Sequence, residues 1–178
     1  MELIVYAAQA PREGERALAW GLLRLALARE LGLHALPETA REPGGKPYFP
    51  ARPELQFSLS HSHGGAVCAL HSLPVGVDIE KLRPAPRRLA QGMGDEAFFR
   101  LWTAKEATAK REGKGIAVLR RLEPDGLCRC LEDLLPGFLV TVCPSAEASV
   151  RAVRVDAAEA MRPPPTPPPP CRCPRPPR

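Results

Sequence analysis

Apolar residues at Leu18, Leu22, Leu25, Leu27 and Leu31, with alanines between them, predict an amphipathic helix over about 13–31, stopped by Gly32. Ahead of it, Glu2–Ala7 alternates weakly and is rich in Ile, Val and Tyr, which predicts a short opening strand. Residues 37–53 are dense in Gly and Pro and read as a loop containing Gly44-Gly45-Lys46-Pro47. Leu55–Leu59 and Ala66–His71 predict two strands around a turn at Ser60–Gly65. Pro74 breaks the chain, and the β-branched run Val75–Ile79 predicts a further strand. After Arg83-Pro84-Ala85-Pro86 a helical stretch follows, strongest over Glu96–Arg111 and closed by Gly113 and Gly115. Leu134–Val142 and Ser149–Val155 predict a closing strand pair. Helix and strands thus recur in both halves, without the regular βαβ alternation of a parallel sheet.

The composition narrows the class. Of 178 residues, 44% are apolar and 25% charged, an ordinary globular balance that excludes a fibrous or wholly disordered chain. No apolar run reaches the ~20 residues of a membrane-spanning helix. The start, Met1-Glu2-Leu3, lacks the basic flank and apolar run of a secretory signal. The net charge of +5 points to nucleic acid at first sight. From Arg162 onward, however, the chain reads RPPPTPPPPCRCPRPPR, with four arginines and no acid. The residues before it are close to neutral, so no nucleic-acid partner is expected. That proline-rich tail, 162–178, cannot bury a core and is expected to be extended and disordered. Cys68, Cys128, Cys130, Cys143, Cys171 and Cys173 show no zinc spacing, and they read as reduced thiols of a cytoplasmic protein.

Three segments carry candidate chemistry. In Val77-Asp78-Ile79-Glu80, side chains two apart share a strand face, so Asp78 and Glu80 project together. Two adjacent carboxylates either bridge a hard cation or simply face solvent. In Trp102-Thr103-Ala104-Lys105-Glu106-Ala107-Thr108-Ala109-Lys110, a helix places Trp102, Glu106 and Lys110 on one face. Glu106 and Lys110 are then either a surface ion pair or a metal ligand and a phosphate contact. Finally, Lys46 in GGKP and the Ser60-His61-Ser62 end of Phe57-Ser58-Leu59-Ser60-His61-Ser62 can offer an ammonium, a hydroxyl and an imidazole to an anion. The GxxxxGK[ST] spacing of a P-loop is missing, and no Ser-His-Asp or Cys-His order is suggested.

Taken in order, GKP, FSLSHS, GVDIE and WTAKEATAK closely resemble the signature blocks of the 4′-phosphopantetheinyl transferase superfamily, especially its Sfp-type branch. The resemblance runs from about Arg41 to Ile116 and includes Gly113-Lys114-Gly115-Ile116. It implies an α+β fold of two similar halves, 1–72 and 73–161, packed as a pseudo-dimer with the site in the cleft between them. It also implies Mg²⁺-dependent transfer of the phosphopantetheine arm of coenzyme A to a serine of an acyl or peptidyl carrier protein, by a monomer. By position, Asp78, Glu80 and Glu106 resemble the metal-site carboxylates, with Glu106 also as general base. Lys110 resembles the pyrophosphate contact, and Lys46, Ser60 and His61 the coenzyme A phosphate contacts. His61 and Lys110 would stabilise charge at the reacting phosphorus, and Arg41 and Gly45 belong to the same phosphate loop. The segment Lys81–Leu101 is shorter than is common in the branch, which keeps open a non-catalytic coenzyme A or carrier-protein binding protein on the same fold.

Overall fold

The structure is a computed structural model, and it describes residues 2–11, 13–90 and 92–163. Beyond Pro163, the tail expected to be disordered lies outside the described residues.

The chain runs β1 (Leu3–Gln9), α1 (Glu15–Leu31), β2 (Ala40–Arg41), β3 (Pro47–Tyr48), β4 (Gln56–Ser62), β5 (Gly65–His71), β6 (Val75–Lys81), α2 (Arg87–Ala90), α3 (Asp95–Arg111), β7 (Arg129–Cys130), β8 (Phe138–Pro144), β9 (Val150–Arg154) and α4 (Ala157–Ala160). One sheet has the order β4-β5-β1-β9, a second β6-β8-β7, and β2 pairs with β3 in a small ladder. Helices on mostly antiparallel sheets make the architecture α+β.

Strand alternation sorts the side chains into layers. On β1, Ile4, Tyr6 and Ala8 pack with Leu18, Leu22, Leu23 and Leu27 of α1. The intervening Leu3, Val5 and Ala7 pack with Val75, Val77 and Ile79 of β6 and with Val140 and Val142 of β8. The two sheets therefore meet face to face, α1 covers the outer face of the first, and α3 lies on β6 and β8 of the second. A strand buried on both faces has no polar positions to spare, which is why the sequence of β1 alternates only weakly.

Both long helices form where the apolar spacing predicts them. α1 ends at Gly32, whose φ of 65° gives the left-handed turn that a glycine adopts without steric cost. Two expectations are corrected. The predicted turn Ser60–Gly65 shrinks to His63 and Gly64, both with positive φ, and this tight reversal suits a two-residue hairpin. β4 therefore continues through Ser60, His61 and Ser62, which pair with Val67, Ala66 and Gly65. The predicted closing strand pair also forms otherwise: β8 lies between β6 and β7, whereas β9 pairs parallel with β1. After Pro144 the chain leaves one sheet and supplies an edge to the other, so the last strand of the second half completes the sheet of the first.

Candidate functional site

Two sheet edges meet along β4 and β6, and three serines line the seam. Ser58, Ser60 and Ser62 share one face of β4 by alternation. Ser58 Oγ accepts from Val77 N at 3.1 Å, Ser60 Oγ donates to Asp78 Oδ1 at 2.7 Å, and Ser62 Oγ donates to Glu80 Oε2 at 2.7 Å. The hydroxyls thus hold both carboxylates of the Val77–Glu80 segment in register. Only Ser60 was singled out from sequence. The alternation in Ser58-Leu59-Ser60-His61-Ser62 is the signal that places the other two beside it.

α3 brings the remaining groups because its backbone can approach β6 closely. A Cβ on Gly76 would lie 1.9 Å from Ala107 O, so only glycine allows this contact. One turn farther along the helix, Lys110 Nζ reaches Asp78 Oδ1 at 2.6 Å and Ser60 Oγ at 2.8 Å, and lies 3.6 Å from Glu106 Oε2. Asp78 is buried, with a side-chain exposure of 3%, and Glu106 is largely buried. Burial, and next the negative charge of Asp78, push the Glu106 carboxyl up to about 7, against the opposing pull of Lys110. The charge of Glu80 adds to the same upward push. A carboxyl at that value can take or give a proton at neutral pH.

Asp78 Oδ2 is buried and has no hydrogen-bond partner. A buried carboxylate oxygen without a partner is costly, and a hard cation is the group that satisfies one beside a second acid. Among the described residues, no three His, Cys, Asp or Glu side chains already converge as a metal cage. Lys110 stands at Asp78 Oδ1, while Arg83 Nη1 donates to Glu80 Oε2 at 2.9 Å. The donor set, all carboxylate oxygen, nevertheless fits Mg²⁺ better than a softer ion.

The expected phosphate contacts do not all converge here. His61 lies on the opposite face of β4, exposed, with Nδ1 3.2 Å from Glu15 Oε1 of α1. Arg41 Nη1 donates to Gly45 O at 2.7 Å inside the β2–β3 hairpin. Lys46 Nζ donates to Val75 O at 3.2 Å and Arg111 O at 3.3 Å, so it ties the hairpin to the start of β6 and the end of α3. Burial pushes its ammonium below the usual lysine range. The same hairpin packs tightly on the loop after α3, where a Cβ on Gly44 would fall 1.8 Å from Gly113 O. The structure thus unites Ser60, Asp78, Glu106 and Lys110, sets Glu80 beside them, and leaves Arg41, Gly45, Lys46 and His61 around them.

No family model matches the chain. Several characterised proteins do. The chain is 34% identical over 114 residues to a 4′-phosphopantetheinyl transferase of Bacillus subtilis, covering 54% of this chain and 51% of that protein. It is 31% identical over 153 residues to the 4′-phosphopantetheinyl transferase psf-1 of Bacillus pumilus, covering 67% and 66%. With the 4′-phosphopantetheinyl transferase AcpT of Salmonella typhi it shares 39% over 126 residues, covering 60% and 64%. The chain belongs to the 4′-phosphopantetheinyl transferase superfamily, and its relatives include the Sfp-type branch. It spans about half the length of the Bacillus subtilis relative, and 66% and 64% of the other two.

Proposed function

We propose that this chain transfers the 4′-phosphopantetheine arm of coenzyme A to a serine of an acyl or peptidyl carrier protein, releasing adenosine 3′,5′-bisphosphate. The observation that carries this reading is the buried cluster of Ser60, Asp78, Glu106 and Lys110, with its one unpartnered carboxylate oxygen. The names of the relatives support the same chemistry.

Glu106 accepts the proton of the carrier serine, whose hydroxyl is otherwise a weak nucleophile. The new bond joins that serine oxygen to the phosphorus bearing the pantetheine arm, and the bond from phosphorus to the leaving nucleotide phosphate breaks. Lys110 faces the charge that gathers on the phosphoryl oxygens. Asp78, Glu80 and Glu106 would hold Mg²⁺, which supplies charge neutralisation of the pyrophosphate when bound. Ser60 orients Asp78 with its one hydroxyl proton and would donate to a phosphate only by releasing that carboxylate. Arg41, the Gly45 backbone, Lys46 and His61 are left for the remaining 3′-phosphate, Lys46 by releasing its two carbonyls.

The carrier is proposed to dock on α2 and α3. A cavity of about 660 Å³ there is lined by Leu89, Met93, Phe98 and Trp102, with Arg88 and Lys105 also facing it. This cavity does not include the Asp78 cluster, which fits a docking face beside a site rather than the site itself. The halves 1–72 and 73–161 are read as a pseudo-dimer, since each lays one 17-residue helix on its own antiparallel strands. The protein is proposed to act as a cytoplasmic monomer without nucleic acid, and none of the described helices is long and apolar enough to cross a membrane.

The test incubates the protein with coenzyme A, Mg²⁺ and several apo-carriers, then weighs the carriers. Wild type should add the arm to at least one carrier and Asp78→Ala to none. Binding of coenzyme A in a calorimeter, with every carrier unchanged in mass, would support the non-catalytic binding protein instead.

A further inference from the structure

Cys128 and Cys143 take no part in the chemistry above, yet they are arranged as a pair. Both are free thiols. Their sulfurs lie about the Thr108 hydroxyl, Oγ1 being 3.2 Å from Cys128 Sγ and 3.7 Å from Cys143 Sγ. The β7–β8 register pairs Arg129 with Val142 and Cys130 with Thr141, so one more step sets Cys128 opposite Cys143. Leu131 N donates to Val140 O at 2.8 Å, which marks that pair as a hydrogen-bonded one. Antiparallel pairs alternate, so Cys128 and Cys143 occupy a non-hydrogen-bonded position, where opposed Cα atoms stand ~4.5 Å apart. That spacing falls within the ~4.4–6.8 Å a disulfide spans.

We propose that Cys128 and Cys143 are a modification site: a dithiol that a small-molecule disulfide converts reversibly into a cross-strand disulfide joining β7 to β8. Half-buried Cys128 is the sulfur that an outside reagent reaches first. Its thiolate attacks one sulfur of the reagent, forming a mixed disulfide and expelling one reagent thiolate. The buried Cys143 sulfur then attacks Cys128 Sγ, giving up its proton to solvent base and expelling the second reagent thiolate. In all, two protein thiols and one disulfide become one protein disulfide and two small thiols. The electrostatics agree with this order. The neighbouring Cys143 thiol draws the Cys128 thiol down to about 7, whereas Cys143, beside the more acidic sulfur and buried, is pushed up. Cys68 is buried in the core of the first sheet, and Cys130, on the same face of β7 as Cys128, stands opposite Thr141 in the register rather than opposite Cys143.

The full chain, reduced and desalted, is incubated with glutathione disulfide, then alkylated, digested and read by mass spectrometry. The expected product is a peptide pair linked through Cys128 and Cys143, lost on treatment with dithiothreitol. Cys143→Ser should stop at a stable glutathione adduct on Cys128, and Cys128→Ser should leave Cys143 unmodified. A wild-type protein that keeps glutathione on Cys128, links Cys128 to Cys130, Cys171 or Cys173, or leaves both thiols free would overturn the proposal.

Discussion

Lys110 Nζ lies 2.6 Å from Asp78 Oδ1 and joins the last turn of α3 to the middle of β6. One ammonium therefore faces two carboxylates, since Glu106 Oε2 is 3.6 Å from the same nitrogen. With both carboxyls ionised the cluster carries one excess negative charge, and the unpartnered Asp78 Oδ2 is where a cation would meet it. Asp78→Ala should remove the Mg²⁺-dependent part of coenzyme A affinity in a calorimetric titration. The same variant removes the nearest partner of a part-buried ammonium, which keeps Ser60 and Glu106, and should cost about 1–3 kcal/mol in urea unfolding. An affinity that responds to Mg²⁺ as in wild type would place the cation elsewhere.

The raised Glu106 carboxyl makes stability depend on pH. Its folded value of about 7 exceeds the ordinary 4.5, so the folded state holds the proton more tightly than the unfolded chain does. This contribution is fully present below about 4.5 and is lost as pH rises through 7. Without added metal, the folding free energy should lose a few kcal/mol from this group across that window. Glu106→Gln should flatten that slope, as measured by urea unfolding at a series of pH values. An identical slope in the variant would mean that the carboxyl titrates normally.

Gly76 sets the distance between β6 and α3. Gly76→Ala would put a Cβ 1.9 Å from Ala107 O, and backbone against backbone leaves no side chain to swing aside. The helix must shift and carry Glu106 and Lys110 with it. Stability should fall by about 1–3 kcal/mol, as for overpacked interiors, and transfer should fall with it. A variant with wild-type melting temperature would show that the approach is looser than described.

Lys46 distinguishes two roles by where its loss is felt. As the tie between the β2–β3 hairpin, Val75 O and Arg111 O, it should contribute to stability without any ligand. Lys46→Ala should then lower unfolding free energy by about 1.5–3 kcal/mol, the range for a hydrogen bond to a charged group. A purely phosphate-binding lysine would lower coenzyme A affinity and leave the ligand-free protein as stable as before.

Local signals in the sequence carried most of the elements. Periodicity marked α1 and α3, and alternation with β-branched residues marked β1 and β6, because each of these depends on residues close in the chain. The crossing of β9 to β1 was not legible, since no local pattern in Val150–Arg154 says which sheet it will join. The turn at His63-Gly64 was hidden for another reason. A histidine with φ of 49° is uncommon, and the polar run Ser60–Ser62 reads as loop although its serines face carboxylates. The site was legible as spaced carboxylates in two motifs. Their meeting depends on Gly76, whose small size has meaning only once α3 is seen against it. The placement of His61 toward Glu15 follows from alternation on a strand longer than predicted.

In the proposed mechanism Glu106 works as a base within a buried cluster and is more than an ion-pair partner of Lys110 on a helix surface. Glu106→Gln keeps the shape of the side chain and removes its charge and basicity. The measurement is kcat on an apo-carrier for wild type and Glu106→Gln, with coenzyme A binding followed in parallel. Loss of a general base lowers the rate by about 10²–10⁴-fold, and that fall is expected here with the variant still folded. Wild-type turnover in Glu106→Gln would contradict the account and remove Glu106 from the mechanism.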